Sequence, residues 1–171
     1  MPGIDEKRDF IPLSIAVLTV SDTRSIEQDK SGATLAERIG KAGHAVAARA
    51  VVTDDVEKIR AQVQAWIADP VIDVIISTGG TGFAPRDVTP EATAEVVERP
   101  TPGLDEAMRE VSRRASPHGL LSRGRSGIVG RTLIVNFPGS PRACAECFDA
   151  VAPALGHGVE LLLGEPTEHP A

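Results

Sequence analysis

The first sustained apolar run, residues 13–21 (LSIAVLTVS), is short, β-branched and uncharged, the pattern of a strand buried on both faces. After a polar stretch, Leu35, Ile39 and Ala42 recur at helical spacing and stop at Gly43, which predicts a helix with a glycine end. Residues 45–52 read as a second strand. Asp54 or Asp55 then stands where a cap belongs, ahead of a helix through Val56, Ile59, Val63, Trp66 and Ile67. A third strand, 71–77, runs directly into Thr78-Gly79-Gly80-Thr81-Gly82.

Thr89-Pro90-Glu91 combines a threonine cap, a proline in the first turn and an early acid, and so predicts another helix start. Pro100 and Pro102 interrupt the chain before a weaker amphipathic helix through Leu104, Ala107, Met108 and Val111; residues 119–126 read as irregular. TLIVNF (132–137) is a further buried-type strand, halted by Pro138-Gly139-Ser140-Pro141. A helix over 143–152 and a separate last helix near 159–163 follow. This alternation predicts an α/β fold with a mostly parallel sheet covered on both faces. Ligands of such sheets bind outside the carboxyl ends of the strands, so the turns at Ser21-Asp22, 78–82 and 138–141 are expected to converge.

At 171 residues, 42% hydrophobic and 25% charged, the chain has the size and composition of one globular unit. The expected division is an N-terminal extension over 1–12, a single domain over 13–164 and a tail over 165–171. No apolar stretch approaches the ~20 residues that span a bilayer. Asp5, Glu6, Lys7, Arg8 and Asp9 do not suit a targeting peptide, so the cytoplasm is the expected compartment, without membrane contact.

The net charge of −6 and the aromatic set of Phe10, Trp66, Phe83, Phe137 and Phe148, with no tyrosine, argue against a nucleic-acid partner. Charge is nevertheless segregated. Between positions 109 and 142 lie Arg109, Arg113, Arg114, Arg123, Arg125, Arg131 and Arg142 against the single acid Glu110. Such a segment either meets anions or is a solvated face.

Thr78 to Gly82 can offer backbone N–H groups and two hydroxyls to a phosphate, or can simply be a turn that needs positive φ. It is neither a Walker loop nor a dinucleotide fingerprint, because the lysine and the third glycine are missing. Asp87, five residues on, is either a turn aspartate or a carboxylate beside a phosphate cradle. In the second role it would recruit Mg²⁺ with one partner acid, for which Asp54 is the candidate if it is not a helix cap. Ser122 and Arg123 precede Gly124-Arg125 in a stretch suited to phosphate or to solubility, and Ser140 in the 138–141 turn can contact a ligand or only shape a connection.

Cys144 and Cys147 spell C-x-x-C, open to a thiol oxidoreductase or to two packed cysteines. His44, His118, His157 and His169 show no zinc-ligand spacing, and no Ser-His-Asp order is legible.

Taken together, IAVLTVSDTR (15–24), Asp29-Lys30-Ser31-Gly32, the aspartates after Val51-Val52, TGGTG with RDVTPEA (78–92), LSRG (121–124) and LIVNFPGSP (133–141) resemble the MoaB/MogA family of molybdenum cofactor biosynthesis proteins. The resemblance covers roughly residues 13–163. It implies a three-layer α/β/α subunit in a homotrimer or homohexamer. It also implies Mg-ATP-dependent adenylylation of molybdopterin, in which the pterin's terminal phosphate attacks the α-phosphorus of ATP and pyrophosphate leaves. The product passes to the pathway's metal-insertion enzyme, a transient partner.

Carried over by position, the resemblance makes Asp54 and Asp87 the catalytic acids and Mg²⁺ ligands. Ser21, Asp22, Thr78, Gly79, Gly80, Thr81, Gly82, Ser122, Arg123, Pro138, Gly139, Ser140 and Pro141 become the ligand-binding set. The 104–120 segment departs from the family pattern. A non-catalytic pterin carrier of the same fold is the alternative function.

Overall fold

Strand β1 (Ser14–Val20) is buried at every position after its first, because it lies inside the sheet with a parallel neighbour on each side. The computed structural model describes residues 9–164; the charged residues 5–8, the 165–171 tail and His169 lie outside them. The sheet is six-stranded, in the order β2-β1-β3-β6-β5-β4. Strands β2 (Ala45–Val52), β3 (Val74–Thr78) and β6 (Thr132–Phe137) are parallel to β1 or to one another, whereas β5 (Ser126–Val129) and β4 (Arg99–Pro100) add an antiparallel edge.

Helices cover both faces. On one, α1 (Lys30–Lys41), α4 (Pro102–Ala115) and α5 (Pro141–Leu163) bury Leu35, Ile39, Met108, Phe148 and Leu155 against Ile15, Val17, Ile76 and Val135. On the other, α2 (Val56–Ile67) and α3 (Thr89–Ala94) set Ile59, Val63, Trp66 and Ala92 on Leu18, Ile75 and Ile134. The expected three-layer α/β/α arrangement is present.

Four local expectations are corrected. Residues 119–126 contain the end of a 3-10 turn (Pro117–Leu121) and the start of β5, which hairpins into β6 through Gly130-Arg131; a four-residue strand gives too little alternation to show in the sequence. Two-residue β4 is likewise invisible, and its Pro100 is tolerated because it lies on the edge. The two C-terminal helices are one, running through Pro153. Proline in a helix interior costs about 3 kcal/mol. Phe148, Val151, Leu155 and Val159 all lie on the buried side, and each such side chain stabilises by about 1.5–3 kcal/mol, so packing wins. Finally, Val88 rather than Thr89 is the cap of α3, because the Thr89 hydroxyl donates to the Gly79 carbonyl at 2.9 Å.

Candidate functional site

Because β1, β2, β3 and β6 run the same way, their carboxyl ends share one rim of the sheet and deliver four connections to it. One cleft of about 480 Å³ is lined by Ser21, Asp22, Ser31, Asp54, Thr78 and Gly79, among others. A neighbouring cleft of about 520 Å³ is lined by Thr81, Gly82, Ser116, His118, Ser122 and Pro138, among others. Both share Gly80, Asp87, Gly139 and Ser140. The three expected turns therefore converge, and Asp87 stands in the wall between two cavities.

The glycine turn has the backbone that its sequence requires. Gly79 and Gly80 have φ of +95° and +68°, in the left-handed region that penalises side chains. A Cβ on Gly79 would lie 2.5 Å from the Val20 carbonyl, so β1 closes that side. The Gly80 carbonyl accepts the Thr89 N–H at 3.1 Å, which together with the Thr89 hydroxyl on Gly79 ties α3 to the turn.

Thr78 does not offer its hydroxyl to a ligand. It is buried and donates to the Pro138 carbonyl at 2.7 Å, joining the glycine turn to the 138–141 turn. On the other side Ser31 donates to the Gly139 carbonyl at 2.6 Å. Ser140 caps α5 by accepting the Ala143 N–H at 3.1 Å, with Pro141 as the first helical residue. The amino end of a 23-residue helix thus opens on the larger cleft, a favourable setting for an anion.

Asp55, not Asp54, caps α2, accepting the Lys58 N–H at 3.0 Å. Asp54 keeps its carboxylate for the cleft: its Oδ1 is 3.1 Å from where a Gly80 Cβ would sit. Burial, reinforced by the charges of Asp22 and Asp87, moves its pKa upward. Asp87 combines both roles considered for it. Its Oδ2 accepts the Ala84 N–H at 3.0 Å, as a turn aspartate does, and lies 2.9 Å from the Cβ position of Gly82, beside the cradle. Asp22 has a counter-ion. Arg86 binds its two carboxylate oxygens through Nε and Nη2, and the Asp54 N–H adds a bond of 3.1 Å, which together lower its pKa to about 2.

Arg123 is engaged within the chain rather than left as a free anion donor. Its Nε donates to the Gly82 carbonyl at 2.8 Å, Nη2 to the Asp87 carbonyl at 2.7 Å, and Nη1 pairs with Glu91. Much of the arginine-rich segment is likewise engaged within the chain: Arg113 and Arg114 on Glu110, and Arg142 on Glu146. Ser122 lines the larger cleft, and Ser21 lines the smaller one while accepting the Thr23 and Arg24 N–H groups at 3.3 Å.

Sequence reasoning missed Ser112, Ser116, His118 and Glu146 of the larger cleft, which come from α4, the following turn and α5. It also missed Asn136, buried in β6, whose amide donates to Ser77 at 2.8 Å and Thr93 at 3.0 Å while its oxygen accepts the Arg125 N–H at 3.1 Å. A lone asparagine in an apolar strand was the available signal. The cysteines are a packing pair. Both are buried; Cys144 contacts the Pro138 carbonyl at 3.1 Å, and burial pushes its thiol up to about 12, against the thiolate that redox chemistry needs.

Residues 16–157 match the model of the family described as "Probable molybdopterin binding domain". The chain belongs to that family. As a member of the molybdopterin-binding-domain family it is 36% identical over 156 residues to "Molybdopterin adenylyltransferase" of Helicobacter pylori, an alignment covering 89% of each chain. It is 40% identical over 153 residues to "Molybdenum cofactor synthesis protein cinnamon" of Drosophila melanogaster, of which it spans 26%. Its fold superposes on the Thermus thermophilus molybdopterin biosynthesis enzyme MoaB with a TM-score of 0.82 and 41% identity, covering 90% of this chain and 98% of that one.

Among the described residues, no group of three or more His, Cys, Asp or Glu is arranged to hold a metal ion by itself. No helix there is long and apolar enough to cross a membrane.

Proposed function

We propose that this chain adenylylates molybdopterin. An oxygen of the pterin's terminal phosphate forms a bond to the α-phosphorus of ATP, the α–β anhydride bond breaks, and pyrophosphate departs. The observation that carries this reading is the pair Asp54 and Asp87, which line a common cleft without an ion-pair partner among the described residues. The two adjoining clefts are each within the roughly 300–1,000 Å³ of small-molecule sites, which suits two substrates meeting at the shared wall. The activity named for the Helicobacter pylori relative supports it.

Joining two polyanions is chiefly a problem of charge and alignment. The protein would answer with the backbone N–H groups of Gly80, Thr81 and Gly82, that of Gly79 being held by the Phe137 carbonyl at 3.3 Å, and with the amino end of α5. A divalent cation fits the residues present, since two carboxylates that form no ion-pair contact among the described residues adjoin an anion-binding turn, and Mg²⁺ is commonly held by one or two carboxylates together with substrate phosphates. Asp54 and Asp87 would hold it, and its chemistry when bound is to neutralise phosphate oxygens. Ser21, Asp22, Ser122, Gly139 and Ser140 then bound the substrates. A homotrimeric or homohexameric assembly in the cytoplasm belongs to the same proposal.

The test is incubation with molybdopterin, ATP and Mg²⁺. Pyrophosphate release with an adenylylated pterin in the mass spectrum is expected. Tight pterin binding with no pyrophosphate would replace the enzyme by a carrier.

A further inference from the structure

A guanidinium beside a carboxylate ordinarily forms a forked ion pair with it. Arg86 and Arg123 both stand beside the acid pair, and neither does so. Arg86 directs Nε and Nη2 to Asp22 and reaches Asp54 only at its backbone carbonyl, 3.3 Å from Nη2. Asp22 in turn accepts the Asp54 N–H at 3.1 Å, so both peptide groups of Asp54 are gripped while no described residue makes a hydrogen bond or ion pair with its carboxylate. Arg123 repeats the device on the other acid. Nη2 takes the Asp87 carbonyl at 2.7 Å, Nε the Gly82 carbonyl at 2.8 Å, and Nη1 goes to Glu91. Its own N–H also donates to the Thr81 carbonyl at 2.8 Å, so one residue fixes the glycine turn and Asp87 in a single frame.

We infer that Arg86 and Arg123 are positioning residues for the Asp54–Asp87 pair, each holding the backbone of one acid while Asp22 or Glu91 keeps its guanidinium off the acid's carboxylate. This rests on the functional reading above and deepens it. The arrangement reconciles two needs that conflict in a phosphate-transfer site. The acids must be held rigidly, and they must stay unneutralised until a cation and substrate arrive. Lysine cannot substitute, because one ammonium on a flexible stem does not span three acceptors in a plane.

The experiment is Mn²⁺ titration followed by loss of the free-ion electron paramagnetic resonance signal, on wild type, Asp87→Asn, Arg86→Lys, Arg123→Lys, Glu91→Gln and Arg123→Gln with and without Glu91→Gln. Arg86→Lys and Arg123→Lys are expected to weaken Mn²⁺ binding about tenfold and to lower kcat with KM for molybdopterin unchanged, at wild-type melting temperature. Glu91→Gln weakens binding where Arg123 is present and changes nothing in the Arg123→Gln background, a signature that a merely structural residue would not give. If Asp87→Asn abolishes Mn²⁺ binding while the lysine variants bind as wild type, the clamp is overturned and the functional reading stands. If wild type binds no Mn²⁺, the metal half of the functional reading falls and the clamp falls with it.

Discussion

The carboxylate of Asp54 rests against Gly80 and that of Asp87 against Gly82, so two acids from different connections border one turn, two residues apart. Burial first, and then the charges of Asp22 and Asp87, move the pKa of Asp54 upward. In the proposed reading a cation at this rim would offset those charges.

Asp54→Asn and Asp87→Asn should each lower adenylylation by about a hundredfold or more, the size expected when one group that organises transition-state charge is removed. Both side chains are partly exposed and asparagine can still accept the Ala84 N–H, so circular dichroism and melting should match wild type. Normal pyrophosphate release by a folded Asp87→Asn protein would remove the assigned role.

Gly80→Ala should be much costlier than Gly130→Ala. Both glycines have positive φ, at +68° and +54°, which costs alanine about 1–2 kcal/mol. At Gly130 nothing lies within 4 Å, whereas a Cβ at Gly80 collides with the Thr89 hydroxyl. Urea titration of the two variants measures the difference, and equal midpoints would contradict the close approach.

Asn136→Leu should destabilise by about 2–4 kcal/mol, because Ser77, Thr93 and the Arg125 N–H lose a buried partner together. Chemical denaturation reads this directly. A loss under about 0.5 kcal/mol would mean that the network contributes little.

Cys144 and Cys147 should resist iodoacetamide at neutral pH in the native protein and react fully in urea, since both thiols are buried and shifted upward by that burial. Mass spectrometry scores the labelling; rapid native modification of Cys144 would revive a redox role.

The Asp22–Arg86 link has a defined pH window. Its hydrogen bond to Arg86 holds the folded-state pKa of Asp22 near 2, below the ordinary 3.8, so the link's contribution is complete above about pH 4 and is lost as pH falls through about 2. Carboxyl chemical shifts of Asp22 against pH should show a midpoint near 2, and Arg86→Gln should return it towards 3.8.

Much of this molecule is legible along the chain because its information is local. Burial on both faces writes continuous β-branched runs such as β1 and β6, helical burial writes the Leu35–Ile39 spacing, and a parallel sheet obliges the turns after β1, β3 and β6 to meet. The glycines at 79 and 80 announce a backbone that only they tolerate comfortably.

Only the tertiary structure decided where the polar groups point. Asp54 and Asp55 are adjacent, yet Asp55 takes the cap and Asp54 the cleft; Thr78 looks like a ligand hydroxyl and bonds Pro138; Arg123 looks like a phosphate donor and braces Gly82 and Asp87. The same holds for α5, which continues through Pro153 because its buried face outweighs the lost backbone bond. For the polar groups of Thr78 and Arg123 the physical reason is the same. Periodicity follows from the geometry of a single segment, whereas a hydrogen-bonding side chain goes to whichever acceptor the rest of the fold brings within 3 Å or so, and those acceptors lie far away in the chain.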